Sequence, residues 1–312
     1  VAQARQLVKS AHEAGCDIVK FQTHIADEEM IDDGTPPPHF KEPRYTFVKR
    51  MELGEHAHRA LKRYAESLGL LFISSPFSEK AADLLDRIGV CAFKIASGEL
   101  TNIPFLHYVA KKKKPIIMST GMSSWKEIDG AVEAIRKYNN KLIVMQCTSK
   151  YPCPYGDVGL GLIPVLKKRY ACPVGISDHT PTIYTSIAAV ALGACLIEKH
   201  FTLDKNMYGP DHKASLVKEE MKNLIEGVRA TEKAMRPFDK NSLLDLVEMR
   251  NTFQKSLVAR VDIPAHTRAK REMLCQKKPG TGVSPVFINR IVGKVSKIDI
   301  KKNTQIRFNQ FK

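Results

Sequence analysis

Short apolar runs recur along the chain at intervals of 20–50 residues, each followed by a stretch of helical periodicity. They occupy 17–22 (DIVKFQ), 70–76 (LLFISSP), 92–97 (AFKIAS), 115–120 (PIIMST), 142–148 (LIVMQCT), 173–179 (PVGISDH) and 195–202 (CLIEKHFT). Runs of this length between amphipathic patterns such as 79–88, 124–137 and 182–193 predict parallel strands in repeated βα units. Seven units are one short of a closed (β/α)8 TIM barrel. The chain opens on a helical pattern, 1–14, with Gly15 as its stop signal. The expectation is therefore an α/β barrel whose first strand stands before this helix; a seven-stranded barrel or an open sheet is the alternative. Residues 216–235 read as a further helix and 236–249 as a linker. From Arg250 onward short alternating segments and Gly-containing turns predict a small β-rich domain. The expected domains are thus 1–235 and 250–312.

Composition narrows the class. Hydrophobic residues make up 43% and charged residues 26% of 312, which suits a soluble globular protein and excludes disorder or collagen. No apolar run approaches the ~18–20 residues that span a membrane. Seven scattered cysteines without a CxxC pair favour reduced thiols and a cytoplasmic setting over a disulfide framework. The net charge of +16 is uneven: residues 250–312 hold 15 Lys/Arg against three acids, a local +12. Such a tail suits a nucleic-acid surface, yet it has few aromatics and no recognised nucleic-acid motif. A basic domain closing over an anionic substrate is the preferred reading.

Candidate chemistry lies at the strand ends, where a barrel places its active site. Lys20 and Gln22, Ser74 and Ser75, Lys94 and Ser97, Ser119 and Thr120, Thr148 and Ser149, Ser177 and His179, then Glu198, Lys199 and His200 all end apolar runs. Burying such groups idly costs free energy. Two lysines on different strands among hydroxyls and Gly-bearing turns suit a phosphate or carboxylate. His179 and His200 end consecutive strands, so both can face one mouth and suit a divalent transition metal. Asp178 and Asp211 are candidates to hydrogen-bond those ligands or the substrate, and His212 could also contact substrate. The GxSxG, Rossmann and P-loop motifs are absent.

The stretches VKFQ (19–22), SSPFS (74–78), FKIASGELTNIP (93–104), PIIMSTGM (115–122), QCTSKYPCP (146–154), GISDHT (175–180) and GPDHKASL (209–216) carry a resemblance. In order and spacing, the chain resembles the sialic acid synthase family, the phosphoenolpyruvate-condensing N-acetylneuraminate synthases. SLVARVDIPAHT and KKPGTGVSP in the tail resemble the SAF (antifreeze-like) domain. The resemblance implies condensation of phosphoenolpyruvate with an N-acetylmannosamine-type sugar and release of phosphate. It implies Lys20, Ser75, Lys94, Ser97, Ser119 and Ser177 around phosphoenolpyruvate. His179 and His200 would hold a divalent metal, Mn2+ first, with Mg2+ or Co2+ possible. Gln22, Ser149, Tyr151 and Asp211 would lie near the sugar. It also implies a domain-swapped homodimer whose tail reaches the partner's sugar site, with Lys278 where the family usually has Arg. The family's first strand and its AEIG–NH motif are not found here, so a non-catalytic sugar- or anion-binding remnant is the alternative. No nucleic-acid or membrane partner is expected.

Overall fold

A computed structural model describes residues 1–36, 42–241 and 246–312. His39 and residues 242–245 of the expected linker lie outside the described residues. The chain divides into two compact units, Val1–Arg236 and Pro237–Lys312.

In the first unit helix α1 (Ala2–Ala14) leads into β1 (Ile18–Thr23), α2 (Ala26–Glu29), α3 (Arg44–Met51) and α4 (Glu55–Ser67). The alternation continues through β2 (Leu71–Pro76), α5 (Glu79–Arg87), β3 (Phe93–Ile95), α6 (Ile103–Lys111), β4 (Ile116–Ser119) and α7 (Trp125–Arg136). It ends with β5 (Leu142–Cys147), α8 (Leu162–Tyr170), β6 (Val174–Asp178), α9 (Tyr184–Ala191), β7 (Ile197–Lys199) and α10 (Lys218–Ala234). Local chemistry marks several starts. Ser78 caps α5 by accepting from the Ala81 N–H at 3.2 Å. Ser124 and Glu127 form a reciprocal box at the head of α7.

The strands form one parallel sheet in the order β1 to β7. Among the described residues β1 and β7 are its edges, yet Lys20 Nζ on β1 lies 3.3 Å from Glu198 Oε2 on β7. The sheet is therefore curled until its outer strands meet through side chains, a TIM-like half-barrel. Side chains alternate between its faces. Phe72, Phe93, Ile95, Ile116, Met118 and Val144 pack outward against the helices in the larger core. Ile73, Ala92, Ile117 and Met145 form a separate inner cluster with Ile18, Ile143 and Leu196. That inner cluster is the floor on which the polar residues stand.

The second unit contains α11 (Val247–Phe253) and an antiparallel pair, β8 (Ser256–Ala259) with β9 (Leu274–Lys277). Much of the expected β-rich character resolves into isolated bridges, such as Ile263 with Ile300 and Ser296 with Phe311. Its core is Leu257, Ile263, Leu274, Ile291, Ile300, Ile306 and Phe311, and all 16 of its Lys and Arg side chains are exposed.

Candidate active site

The face that carries the floor also carries the chemistry, because residues i and i+2 of a strand point the same way. Two positions above the floor residues Ile18, Ile73, Ile117, Met145, Gly175 and Leu196 stand Lys20, Ser75, Ser119, Cys147, Ser177 and Glu198, with Lys94 joining them from β3. Above these come Gln22, Ser149, His179 and His200. The site is thus a polar layer on an apolar floor, open toward the strand ends. A cavity of about 450 Å³ between β1 and β7 reaches it, with Lys20, Gln22, Glu198, His200 and Asp211 in its wall.

Glu198 is the centre of the polar layer. Its carboxylate accepts from Ser177 Oγ at 2.7 Å and lies 3.3 Å from Lys20 and 3.5 Å from Lys94. Burial opposes its ionisation, but Lys20 and Lys94 prevail and hold the carboxyl well below the usual range. Lys94 is almost wholly buried, its side chain 3% exposed, and donates to Ser119 Oγ at 2.6 Å. Desolvation lowers its pKa, partly countered by Glu198. Ser75 Oγ is buried and has no hydrogen-bond partner among the described residues. An orphaned hydroxyl there costs free energy unless something else engages it.

Ser97, Cys147 and Ser149 converge on Gly121. An ideal Cβ at that glycine would lie 2.7 Å from Ser97 Oγ and 2.8 Å from Cys147 Sγ, and closer still to Ser149 Oγ. Only glycine lets three strand-end loops approach so closely. Its N–H donates to Ser97 Oγ at 2.9 Å, and its carbonyl accepts from the Ser149 N–H at 3.0 Å.

At the mouth the rings of His179 and His200 are 5.2 Å apart, and Tyr151 packs 4.1 Å from the first and 5.6 Å from the second. His179 Nδ1 donates to the Thr148 carbonyl at 2.8 Å, which leaves Nε2 as the accepting nitrogen, with only a long 3.5 Å contact to Ser177 Oγ. Asp211 Oδ2 lies 3.7 Å from His200 Nδ1. Burial lowers the pKa of His179, and burial with Lys20 and His179 pulls His200 down to about 3. Two neutral imidazoles, one fixed by a carbonyl, are the donor set a divalent transition ion needs. Among the described residues no group of three or more His, Cys, Asp or Glu side chains is placed to hold an ion, so further ligands would be substrate or water.

The neutral histidines have a measurable consequence. Unfolded, they would titrate near pH 6.5. Below that value the unfolded chain binds more protons than the folded one, so stability falls as the pH drops toward 3. The unfolding free energy from urea titration is expected to decrease from pH 7 to 5.5, by about 1 kcal/mol from His200 and further in the same direction from His179. In a folded His200→Asn variant the decrease should be shallower. An equal slope in the two proteins would contradict the assignment.

Two expected neighbours of the site behave differently. Asp178 faces away from the mouth and pairs with Lys199 at 3.0 Å, because it sits between the inward residues Ser177 and His179. His212 uses Nδ1 on Thr202 Oγ1 at 2.7 Å and Nε2 on the Tyr208 carbonyl at 3.2 Å. Lys278 belongs to the second unit, where its ammonium lies 5.0 Å from the centre of the Phe253 ring. The convergence of Glu198 and Cys147 on the lysines was not foreseen. Strand parity alone would have placed both in the polar layer.

The NeuB family model matches residues 7–240, and the SAF domain model matches 254–312. The chain belongs to the NeuB family. An N,N'-diacetyllegionaminic acid synthase of Campylobacter jejuni is 39% identical to it, over 97% of this chain and 94% of that one. A protein of the same name from Legionella pneumophila is 37% identical, over 97% and 88%. The solved N-acetylneuraminic acid synthetase of Leptospira borgpetersenii superposes with a TM-score of 0.73 at 30% identity, covering 81% of this chain and 87% of that one. The NeuB segment contains the whole polar layer and both mouth histidines, and the SAF segment contains Lys278. Among the described residues no helix is long and apolar enough to cross a membrane.

Proposed function

We propose that this NeuB chain condenses phosphoenolpyruvate with the open-chain aldehyde of an N-acetylated amino sugar and water, giving a nonulosonic acid and inorganic phosphate. The observation that carries the reading is the polar layer, where two lysines from different strands meet on one carboxylate beside an unengaged buried hydroxyl. A pocket that keeps Glu198 ionised stabilises anions, and phosphoenolpyruvate brings a carboxylate and a phosphate. Lys20, Lys94, Ser75, Ser97, Ser119 and Ser177 receive those two groups. Gln22, Ser149, Tyr151 and Asp211 orient the sugar at the mouth.

Carbon 3 of phosphoenolpyruvate attacks the aldehyde carbon, water adds at carbon 2, and collapse of the tetrahedral intermediate expels phosphate. Lys94 and Ser119 stabilise the charge on the departing phosphate. Holding two small substrates at one mouth supplies up to ~7–11 kcal/mol through proximity. His179 and His200 would hold a divalent metal, Mn2+ before Mg2+ or Co2+, which when bound polarises the aldehyde oxygen. The exposed cations of the second unit serve as a basic lid in a domain-swapped homodimer, with Lys278 directed at the sugar. The free cysteines support a cytoplasmic setting.

The names of the two legionaminic relatives specify a product with two acetyl groups. They favour a diacetamido sugar over N-acetylmannosamine or its 6-phosphate. Phosphate release from phosphoenolpyruvate, measured with Mn2+ and each sugar in turn, is expected with the diacetamido sugar and should stop on adding a chelator. Absence of release with every sugar would overturn the reading.

A further inference from the structure

Asp178 and Lys199 form a buried ion pair on the face of the sheet turned away from the polar layer. Their side chains are 0% and 1% exposed, and the two residues are register partners across β6 and β7. Asp178 Oδ2 accepts from Thr185 Oγ1 and Ser186 Oγ, both at 2.6 Å and both in the first turn of α9. Asp178 Oδ1 accepts from the Thr180 N–H at 2.8 Å. Lys199 Nζ donates to the Thr180 carbonyl at 2.6 Å and to Thr180 Oγ1 at 3.1 Å.

These bonds grip the chain on both sides of His179, at residue 178 and at residue 180. The residue that does the gripping is the immediate predecessor of His200. One ammonium therefore ties together the backbone positions from which both mouth rings project. The charged groups bond to each other, to Thr180 and to the first turn of α9, although Lys199 itself also lines the cavity. A buried ion pair is weak evidence for stability, since well-packed apolar residues often replace one without loss. Directed bonds do what apolar packing does not: they set distances and angles.

We propose that Asp178 and Lys199 are positioning residues that fix the spacing of His179 and His200 for a divalent cation. The proposal rests on the reading of those two histidines as the metal pair. Strands β6 and β7 are held in register at their C-terminal ends, so each ring leaves the backbone at a set height and direction. Loosening the pair leaves both imidazoles present but no longer convergent.

The test is the double replacement Asp178→Leu with Lys199→Met, which removes both charges together and leaves neither one buried alone. Mn2+ affinity is measured by electron paramagnetic resonance on the full chain without substrates, so the readout does not depend on turnover. The thermal midpoint is followed alongside. The expected result is a folded protein with a midpoint near wild type and Mn2+ binding weakened about tenfold to a hundredfold. Unchanged Mn2+ affinity in the folded double variant would overturn the proposal while leaving the metal reading intact. Failure of the wild type itself to bind Mn2+ would remove the metal reading and the proposal with it. Should the double variant not fold, Thr180→Val removes one Lys199 bond, with the Thr180 Oγ1 bonds to Thr185 Oγ1 and the Thr182 carbonyl, and leaves the ion pair in place. A several-fold loss of Mn2+ affinity is then expected, and no loss overturns the proposal.

Discussion

Lys94→Met is expected to lower kcat/KM for phosphoenolpyruvate by about 10²–10³-fold, or ~2.7–4 kcal/mol, the scale set by removing one preorganised electrostatic donor. The replacement keeps the length of the side chain and deletes its charge in a position only 3% exposed. Ser119 Oγ loses its partner, and Glu198 is left with Lys20 as its remaining lysine. Its carboxyl then moves up toward the ordinary range. Folding should suffer little, because burial already disfavours the ammonium. Lys94→Arg should not rescue activity, since a planar fork needs space that a buried lysine lacks. Initial rates of phosphate release, with the thermal midpoint as a control, decide the matter. A loss smaller than about tenfold would remove Lys94 from the anion site.

Gly175→Ala is the substitution expected to damage the fold most. An ideal Cβ there would overlap the Leu196 carbonyl oxygen and Met145 Sδ, and would lie 3.0 Å from Leu196 Cβ. The same carbonyl accepts from the Ile176 N–H at 2.9 Å, so it cannot retreat without opening the contact between β6 and β7. Met145 is fully buried and has little room to turn. Overpacking of this kind costs about 3 kcal/mol or more. In a unit of this size that corresponds to a drop of roughly 6–12 °C in the thermal midpoint. Adding Met145→Ala relieves the sulfur but not the carbonyl, so it should restore only part of the loss. A midpoint within about 2 °C of wild type for the single variant would show that the strands part more easily than the geometry says.

The seven strands were legible because each reads as an apolar run, most of them buried on both faces and the edge strands β1 and β7 only partly so. Their ends were less so. The run 92–97 shortens to Phe93–Ile95, since Ala96 leads into a 3-10 turn at Ser97–Glu99. The run 195–202 shortens to Ile197–Lys199, and His200 projects from just beyond the ladder. An apolar run does not distinguish a strand from the extended backbone that follows it. Lys20, Lys94, Ser119 and Ser177 stood out as polar groups in apolar surroundings. Glu198 stood out equally, but its place between two lysines depends on how far the sheet curls, which no local pattern encodes. Asp178 was misjudged for a different reason. Adjacency to His179 suggested a hydrogen bond to the ring, whereas alternation along β6 sends its carboxylate to the opposite face. In the second unit alternating residues suggested longer strands than form, because its short segments turn before a ladder can grow.

The meeting of β1 and β7 through Lys20 and Glu198 gives the curled sheet a seam with its own chemistry. Elsewhere neighbouring strands are stitched by backbone bonds that are indifferent to ligands. At the seam, beside the apolar packing of α1 on α10, one contact is a Coulomb attraction between side chains 25% and 19% exposed, which salt can screen. An incoming anion competes for the same lysine. On the proposed reading, substrate capture and the release of this side-chain contact are one event: whatever draws Lys20 away from Glu198 frees the lip of the cavity, while the packing of α1 on α10 keeps the sheet closed.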